Sequence, residues 1–157
     1  MGELVVSPAT EDDRAAFVAS VDGLFREDAG VHDRYGDPEW VVRRGDAYFT
    51  NLLADPRAVP LLARDGERAV GHLVGRLLEP DTLRPGTRVA VLESMRVAPE
   101  TRGRGVGGRL VAAFFDWARE RGAVRASVTA YAANAGAQRF YARHGFVPAS
   151  VTFRVTL

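Results

Sequence analysis

A chain of 157 residues, 46% hydrophobic and 26% charged, has the size and composition of one soluble globular domain with a real core. The net charge of +1 argues against nonspecific nucleic-acid binding, and no apolar run is long enough to span a bilayer. Cysteine is absent, which excludes disulfides, thiolate metal sites and a covalent acyl-cysteine. The only histidines are His32, His72 and His144, none paired with another at ligand spacing, so no metal is expected. The N-terminal MGELVVSPATEDDR lacks the basic-then-apolar order of a signal peptide, and a cytoplasmic, membrane-free protein is expected. Every basic side chain other than histidine is arginine, so the chain has no lysine of its own to acylate.

In chain order, ELVVSPAT reads as a short strand closing at Pro8. Thr10 caps a helix whose first turn carries Glu11, Asp12 and Asp13, as the helix dipole favours. Phe17, Val21, Leu24 and Phe25 form its apolar stripe. REDAGVHDRYGDPEW, with two glycines and a proline among charges, reads as an exposed loop. A second helix is predicted from about Trp40 to Leu53. AVPLLARD and RAVGHLVGRLL form a hairpin around Gly66, and VAVLESMRV is a further strand stopped by Pro99. Residues 105–121 form the clearest helix, with Val106, Leu110, Phe114 and Trp117 on one face. RASVTAY is a strand, NAGAQRFYARHGF a helix from an Asn134 N-cap to Gly145, and ASVTFRVTL a closing strand. The order βαα-ββ-β-α-β-α-β describes a single mixed α/β domain over residues 1–157.

The stretch APETRGRGVGGRL (98–110) sits between a strand and a helix, the setting in which glycine backbone and a helix N-terminus hold phosphate. No Lys-Ser or Lys-Thr follows, which excludes a Walker A loop. Gly103, Gly105 and Gly108 match the dinucleotide spacing G-x-G-x-x-G, but APETR separates them from the strand. Ser127, Val128, Thr129 and Ala130 then stand where a ribose-binding carboxylate belongs. A nicotinamide site therefore fails its confirmation. Arg102, Gly105 and Gly107 match [R/Q]-x-x-G-x-G instead.

VAPETRGRGVGGRLV followed by NAGAQRFYARHGF resembles the GCN5-related N-acetyltransferase (GNAT) superfamily. The first stretch is similar to that family's pyrophosphate loop. The second is similar to its Asn-x-x-Ala-x-x-Phe-Tyr-x-x-x-Gly-Phe signature, with Asn134, Ala137, Phe140, Tyr141, Gly145 and Phe146. The close match covers residues 89–147. The resemblance implies a GNAT-like fold, a mixed central sheet with splayed parallel strands (89–97 and 125–130) flanked by helices. It implies acetyl-CoA as co-substrate, its pyrophosphate on backbone N–H groups of Arg102, Gly103, Arg104, Gly105, Val106 and Gly107, with charge from Arg102 and Arg104. Its pantetheine arm would lie along the Met95, Arg96 and Val97 stretch, on the main chain of Met95 and Val97. Asn134, Ala137, Phe140 and Tyr141 complete that cofactor site.

Tyr141 is then the candidate group beside the departing thiol, against the plainer reading of a core aromatic next to Phe140. Transfer to an amine also needs a base, because at neutral pH only about one alkylamine in 10³ is unprotonated. Glu93, a carboxylate within the apolar strand, is the candidate; period two places it with Met95 and Val97 on one face unless a bulge intervenes. The alternative is a structural ion pair with Arg96 or another arginine.

The acceptor pocket implied by the resemblance falls at about 24–45, with Phe25, Asp28, His32 and Tyr35 as candidates and Trp40 nearby. Asp22, Glu27, Asp28, Asp33, Asp37, Glu39 and Asp46 make this region acidic. Such a pocket would suit a polyamine, an aminoglycoside or a peptide N-terminus; the alternative is a solvated helix face. The expected activity is N-acetyl transfer to a primary amine of a small molecule or peptide by direct attack in a ternary complex. A non-catalytic acyl-CoA-binding or regulatory module is the alternative. VTFRVTL could pair across the interface of a homodimer.

Overall fold

A computed structural model describes residues 2–157. Its centre is a five-stranded sheet in the order β1-β2-β3-β4-β5. β1 (Leu4–Pro8), β2 (Ala58–Asp65), β3 (Arg68–Leu77) and β4 (Val89–Val97) are antiparallel neighbours, and β5 (Arg125–Val128) runs parallel to β4. β2 and β3 read as near-continuous apolar runs because helices cover both faces of the sheet.

On one face lie α1 (Arg14–Leu24) and α3 (Trp40–Ala54), whose Phe17, Val21, Val41, Phe49 and Leu52 pack with Leu62 and Val74 of the sheet. On the other lies α4 (Val106–Glu120), which inserts Leu110, Val111 and Phe114 among Val59, Leu61, Leu73 and Leu92. The Phe114 ring needs Gly75 beneath it, since a Cβ there would stand 2.7 Å from the ring. α5 (Ala135–Arg143) extends this second layer, with Phe140, Tyr141 and Phe146 against the same core.

Local chemistry sets the element ends. Thr10 and Asp13 form a reciprocal capping box ahead of α1, in which the Thr10 N–H donates to Asp13 Oδ2 at 2.8 Å. The Asn134 Oδ1 accepts from the Ala137 N–H at 3.0 Å and starts α5, and Gly145 leaves it at φ +89°. Gly66 turns the β2–β3 hairpin at φ +61°.

Three expectations are corrected. The expected loop after α1 is helical in its first half, a π-turn at Phe25–Ala29 and α2 (Gly30–His32), because Arg26, Glu27 and Ala29 favour helix and no proline follows α1 until Pro38. The strand expected over RASVTAY ends at Val128. The closing segment forms no strand among the described residues: Val151, Phe153, Val155 and Leu157 all stand in solvent, with Phe153 at 92% exposure. Its alternating pattern stands unpaired, and β5 is left as the edge strand of the sheet.

Candidate active site

Two breaks in the sheet coincide. β4 pairs with β5 only from Val89–Arg125 to Leu92–Val128, and beyond that step the two strands part. At the same step the β3–β4 register jumps from Gly75–Leu92 to Val74–Ser94, leaving Glu93 as the extra residue of a bulge. This corrects the period-two expectation. Glu93 and Ser94 face α1 and α3, whereas the Met95 side chain turns to the opposite face, where its Cε would lie 3.0 Å from a Cβ on Gly107.

The main chain beyond the bulge faces the opening between the strands. The Ala98 N–H donates to the Val70 carbonyl at 2.8 Å. Alternation of an antiparallel ladder then directs the main-chain groups of Arg96 at β3 and those of Met95 and Val97 away from it, into the opening. The Val97 carbonyl already accepts from Arg102 Nε at 3.1 Å, which leaves its N–H as the group that faces the gap.

The Arg102–Gly107 loop closes one end of that opening. Gly103 (φ +78°) and Gly105 (φ +81°) hold left-handed backbone that a side chain would strain, and Gly105 is the N-cap of α4. The first N–H groups of α4, from Val106 and Gly107, have no carbonyl one turn back and point out of the helix start. A Cβ on Gly107 would meet Phe140 at 2.9 Å and Met95 at 3.0 Å, so a side chain there would displace both. A loop of this kind fits a diphosphate laid on backbone N–H groups. Arg102 donates to Glu27 at 3.0 Å, and Glu27 also takes Arg96 Nη2 at 2.8 Å. Those guanidinium groups hold the Glu27 carboxyl below its ordinary range. The Arg96 side chain lies against Gly23 of α1, where a Cβ would come within 2.5 Å of its guanidinium carbon. Arg96 thus ties β4 to α1 instead of facing the opening.

α5 brings Asn134, Ala137, Phe140 and Tyr141 alongside. Tyr141 packs edge-on against Phe140 and Phe146, with ring centroids 5.4 and 5.6 Å away. Burial, with the negative charge of Asp28 adding to it, pushes its phenol up to about 12. Asp28 accepts from Asn134 Nδ2 at 3.0 Å and stands 3.8 Å from His32 Nε2. Tyr35 is not part of this group: it is 75% exposed, and Arg34 donates to its hydroxyl at 2.7 Å. It lies past the end of α2, where the chain has already turned outward.

A cleft of 470 Å³ opens beside the bulge. Val21, Leu24 and Phe25 form one wall, Trp40 and Tyr48 of α3 a second, and Val91 to Ser94 with Thr129 the floor. Phe25 and Trp40 are stacked at 5.2 Å with their planes 2° apart, and Tyr48 meets Trp40 edge-on at 5.5 Å. Glu93 is the single carboxylate in the lining. It is bound by Arg76, with Nε 2.5 Å from Oε1, and Arg76 also reaches Asp55 at 2.5 Å. Glu93 does form the ion pair given as its alternative reading, with Arg76 as the arginine in place of Arg96.

The acidic region does not line this cleft. Asp22 pairs with Arg26 at 2.9 Å, Glu27 with Arg96 and Arg102, and Asp46 with Arg14 at 3.6 Å. Asp37 and Glu39 both pair with Arg43, and Asp33 accepts the Tyr35 N–H at 3.0 Å.

Sequence reasoning missed Tyr48, Ser94, Thr129, Arg76 and a buried histidine behind them. His72 Nδ1 lies 2.6 Å from Ser20 Oγ and its Nε2 3.2 Å from Ser94 Oγ. Burial first, and the Arg96 charge second, push His72 down to about 3, so it is neutral. Tyr48 is pushed up to about 12 by burial and the Glu93 charge, although its hydrogen bond with Ser94 opposes the shift. The one available signal was Tyr48 lying two helical turns beyond Trp40.

The stretch that holds the parted strands, the glycine loop and α5 lies within residues 24–146, which a model of the acetyltransferase (GNAT) family matches. The chain belongs to the GNAT family. Within the family's reach, the uncharacterized N-acetyltransferase YjhQ of Escherichia coli is 34% identical over 101 residues, 62% of this chain. The chain spans only 52% of that relative's length. Among solved structures, a transcriptional regulator from Bacillus halodurans superposes with a TM-score of 0.78 at 26% identity, over 99% of this chain and 100% of that one. Aminoglycoside N-acetyltransferase AAC(6')-Iy in complex with CoA superposes at 0.81 over 100% of this chain and 96% of that one. Its 15% identity makes that a likeness of fold alone.

Proposed function

We propose that this GNAT chain transfers the acetyl group of acetyl-CoA to a primary amine of a small molecule or peptide, by direct attack in a ternary complex. One observation carries the reading. The bulge at Glu93 and the parting of β4 from β5 fall at the same step, so the cleft meets the strand opening at Glu93 and Thr129.

Acetyl-CoA would present a thioester in the opening. Main-chain groups of Met95 and Val97 would bond its arm as an added strand would, with an N–H on the carbonyl oxygen. The loop from Arg102 to Gly107 would hold the diphosphate, and Asn134, Ala137 and Phe140 would border the arm. The amine nitrogen forms a bond to the carbonyl carbon as the carbon–sulfur bond breaks. Its proton passes to Glu93, directly or through one water, and sulfur departs as a thiolate that takes its proton from solvent. Both Glu93 oxygens meet Arg76, yet a carboxylate has lone pairs for a further bond. Tyr141, at about 12, is a neutral phenol beside a thiol of ordinary pKa about 8.5. Full transfer of its proton is uphill by about 5 kcal/mol, so its role is to donate a hydrogen bond to the developing thiolate.

A cytoplasmic location fits this use of acetyl-CoA, and no helix among the described residues is long and apolar enough to cross a membrane. A second copy of the chain is the partner we assign to the exposed 151–157 segment, whose alternating apolar residues match the open edge of β5. The test of the function is free-thiol release from acetyl-CoA across a panel of amines. Release with at least one amine supports the reading. CoA binding with no release from any of them returns the non-catalytic acyl-CoA-binding module.

A further inference from the structure

We infer that the acceptor carries one amino group on an apolar or aromatic body, and that polycationic amines are poor acceptors. The inference rests on the transferase reading above and names the substrate class of the same site.

The cleft supplies one negative group and an aromatic wall. Glu93 is its only carboxylate, and it is shared with Arg76. The parallel Phe25–Trp40 stack and the Tyr48 edge leave apolar faces and ring edges to receive a flat or aliphatic body. Acids that look abundant in the sequence are each bound to an arginine, an amide or a neighbouring main chain outside the cleft. A second ammonium entering the cleft would lose its water with no free carboxylate to replace it. A single amine, by contrast, reaches Glu93 while its body covers Trp40.

A matched pair of acceptors isolates this point: n-hexylamine and 1,6-diaminohexane share a carbon chain and differ by one terminal ammonium. Thiol release should give hexylamine and 2-phenylethylamine a kcat/KM at least ten-fold above those of the diamine and spermidine. Trp40→Ala should raise KM for 2-phenylethylamine ten-fold or more, with CoA affinity unchanged as the check on folding. Glu39→Gln, outside the cleft, should leave the ratio of monoamine to diamine as it was. Equal or better use of the diamine or spermidine overturns the inference while leaving the transferase reading intact. An unchanged KM in Trp40→Ala, with CoA still bound, does the same. If CoA binds but no amine releases thiol, the transferase reading fails. Calorimetry with 2-phenylethylamine then decides the cleft alone: binding that Trp40→Ala removes upholds the apolar site, and no heat with the parent protein overturns it.

Discussion

At the scale of single residues, the site depends on where one extra residue falls in a strand. Leu92 faces α4, so Glu93 reaches the cleft by ordinary alternation; the bulge adds Ser94 to the cleft face and returns Met95 to the α4 face. Glu93→Gln keeps the shape and removes the proposed base, so kcat should fall by about 10²–10⁴-fold with CoA affinity within about three-fold, read from thiol release and calorimetry. Tyr141→Phe removes only the proposed hydrogen bond to the leaving sulfur, and a fall of about ten-fold in kcat is expected. Because the Tyr141 phenol is pushed up to about 12, it stays protonated through the alkaline range. The pH–rate profile should therefore show no falling limb up to about pH 10, and a fall that Tyr141→Phe abolishes would contradict the assignment. Gly107→Ala tests the loop: its Cβ would meet Phe140 at 2.9 Å and Met95 at 3.0 Å. Overpacking of this kind costs about 1–3 kcal/mol, measurable by urea unfolding, and should weaken CoA binding as α4 shifts from β4.

At the scale of elements, α1, its π-turn and α5 are joined through Asp28 and Asn134, and α1 is joined to β4 through Glu27, Arg96 and Gly23. Helices that frame the cleft are thus tied to the strand and the helix that frame the opening. The closing segment behaves differently. Val151, Phe153, Val155 and Leu157 alternate with Thr152, Arg154 and Thr156, a strand pattern without a strand partner in one chain. Truncation after residue 150 should convert a dimer of the parent chain into a monomer in light scattering; a monomeric parent would contradict the pairing with a second copy.

For the whole molecule, the sheet separates two cores, and His72 sits fully buried in the layer beneath α1. Its pKa is about 3 in the folded chain against 6.5 when unfolded, so the unfolded chain binds the extra proton first on acidification. Stability is complete above the unfolded value and is lost as pH falls below it. Between pH 7 and pH 5, still above the carboxylate range, about 2 kcal/mol should disappear from the unfolding free energy. His72→Gln, which can keep bonds to Ser20 and Ser94, should flatten that slope in urea titrations at the two pH values.

Much of the fold was legible in the sequence because local signals are strong where they exist. The ends of β4 at Val89 and Val97, the Thr10 cap and the Asn134 cap follow from residue type and period alone. The glycine loop and the α5 signature likewise pointed to one family. The tertiary structure alone decided that Met95 faces away from Glu93, which arginine holds Glu93, and that the acids of 22–46 are already bound to other groups. Those outcomes depend on a bulge and on contacts between residues far apart in the chain, such as Glu27 with Arg96, and no local period encodes them.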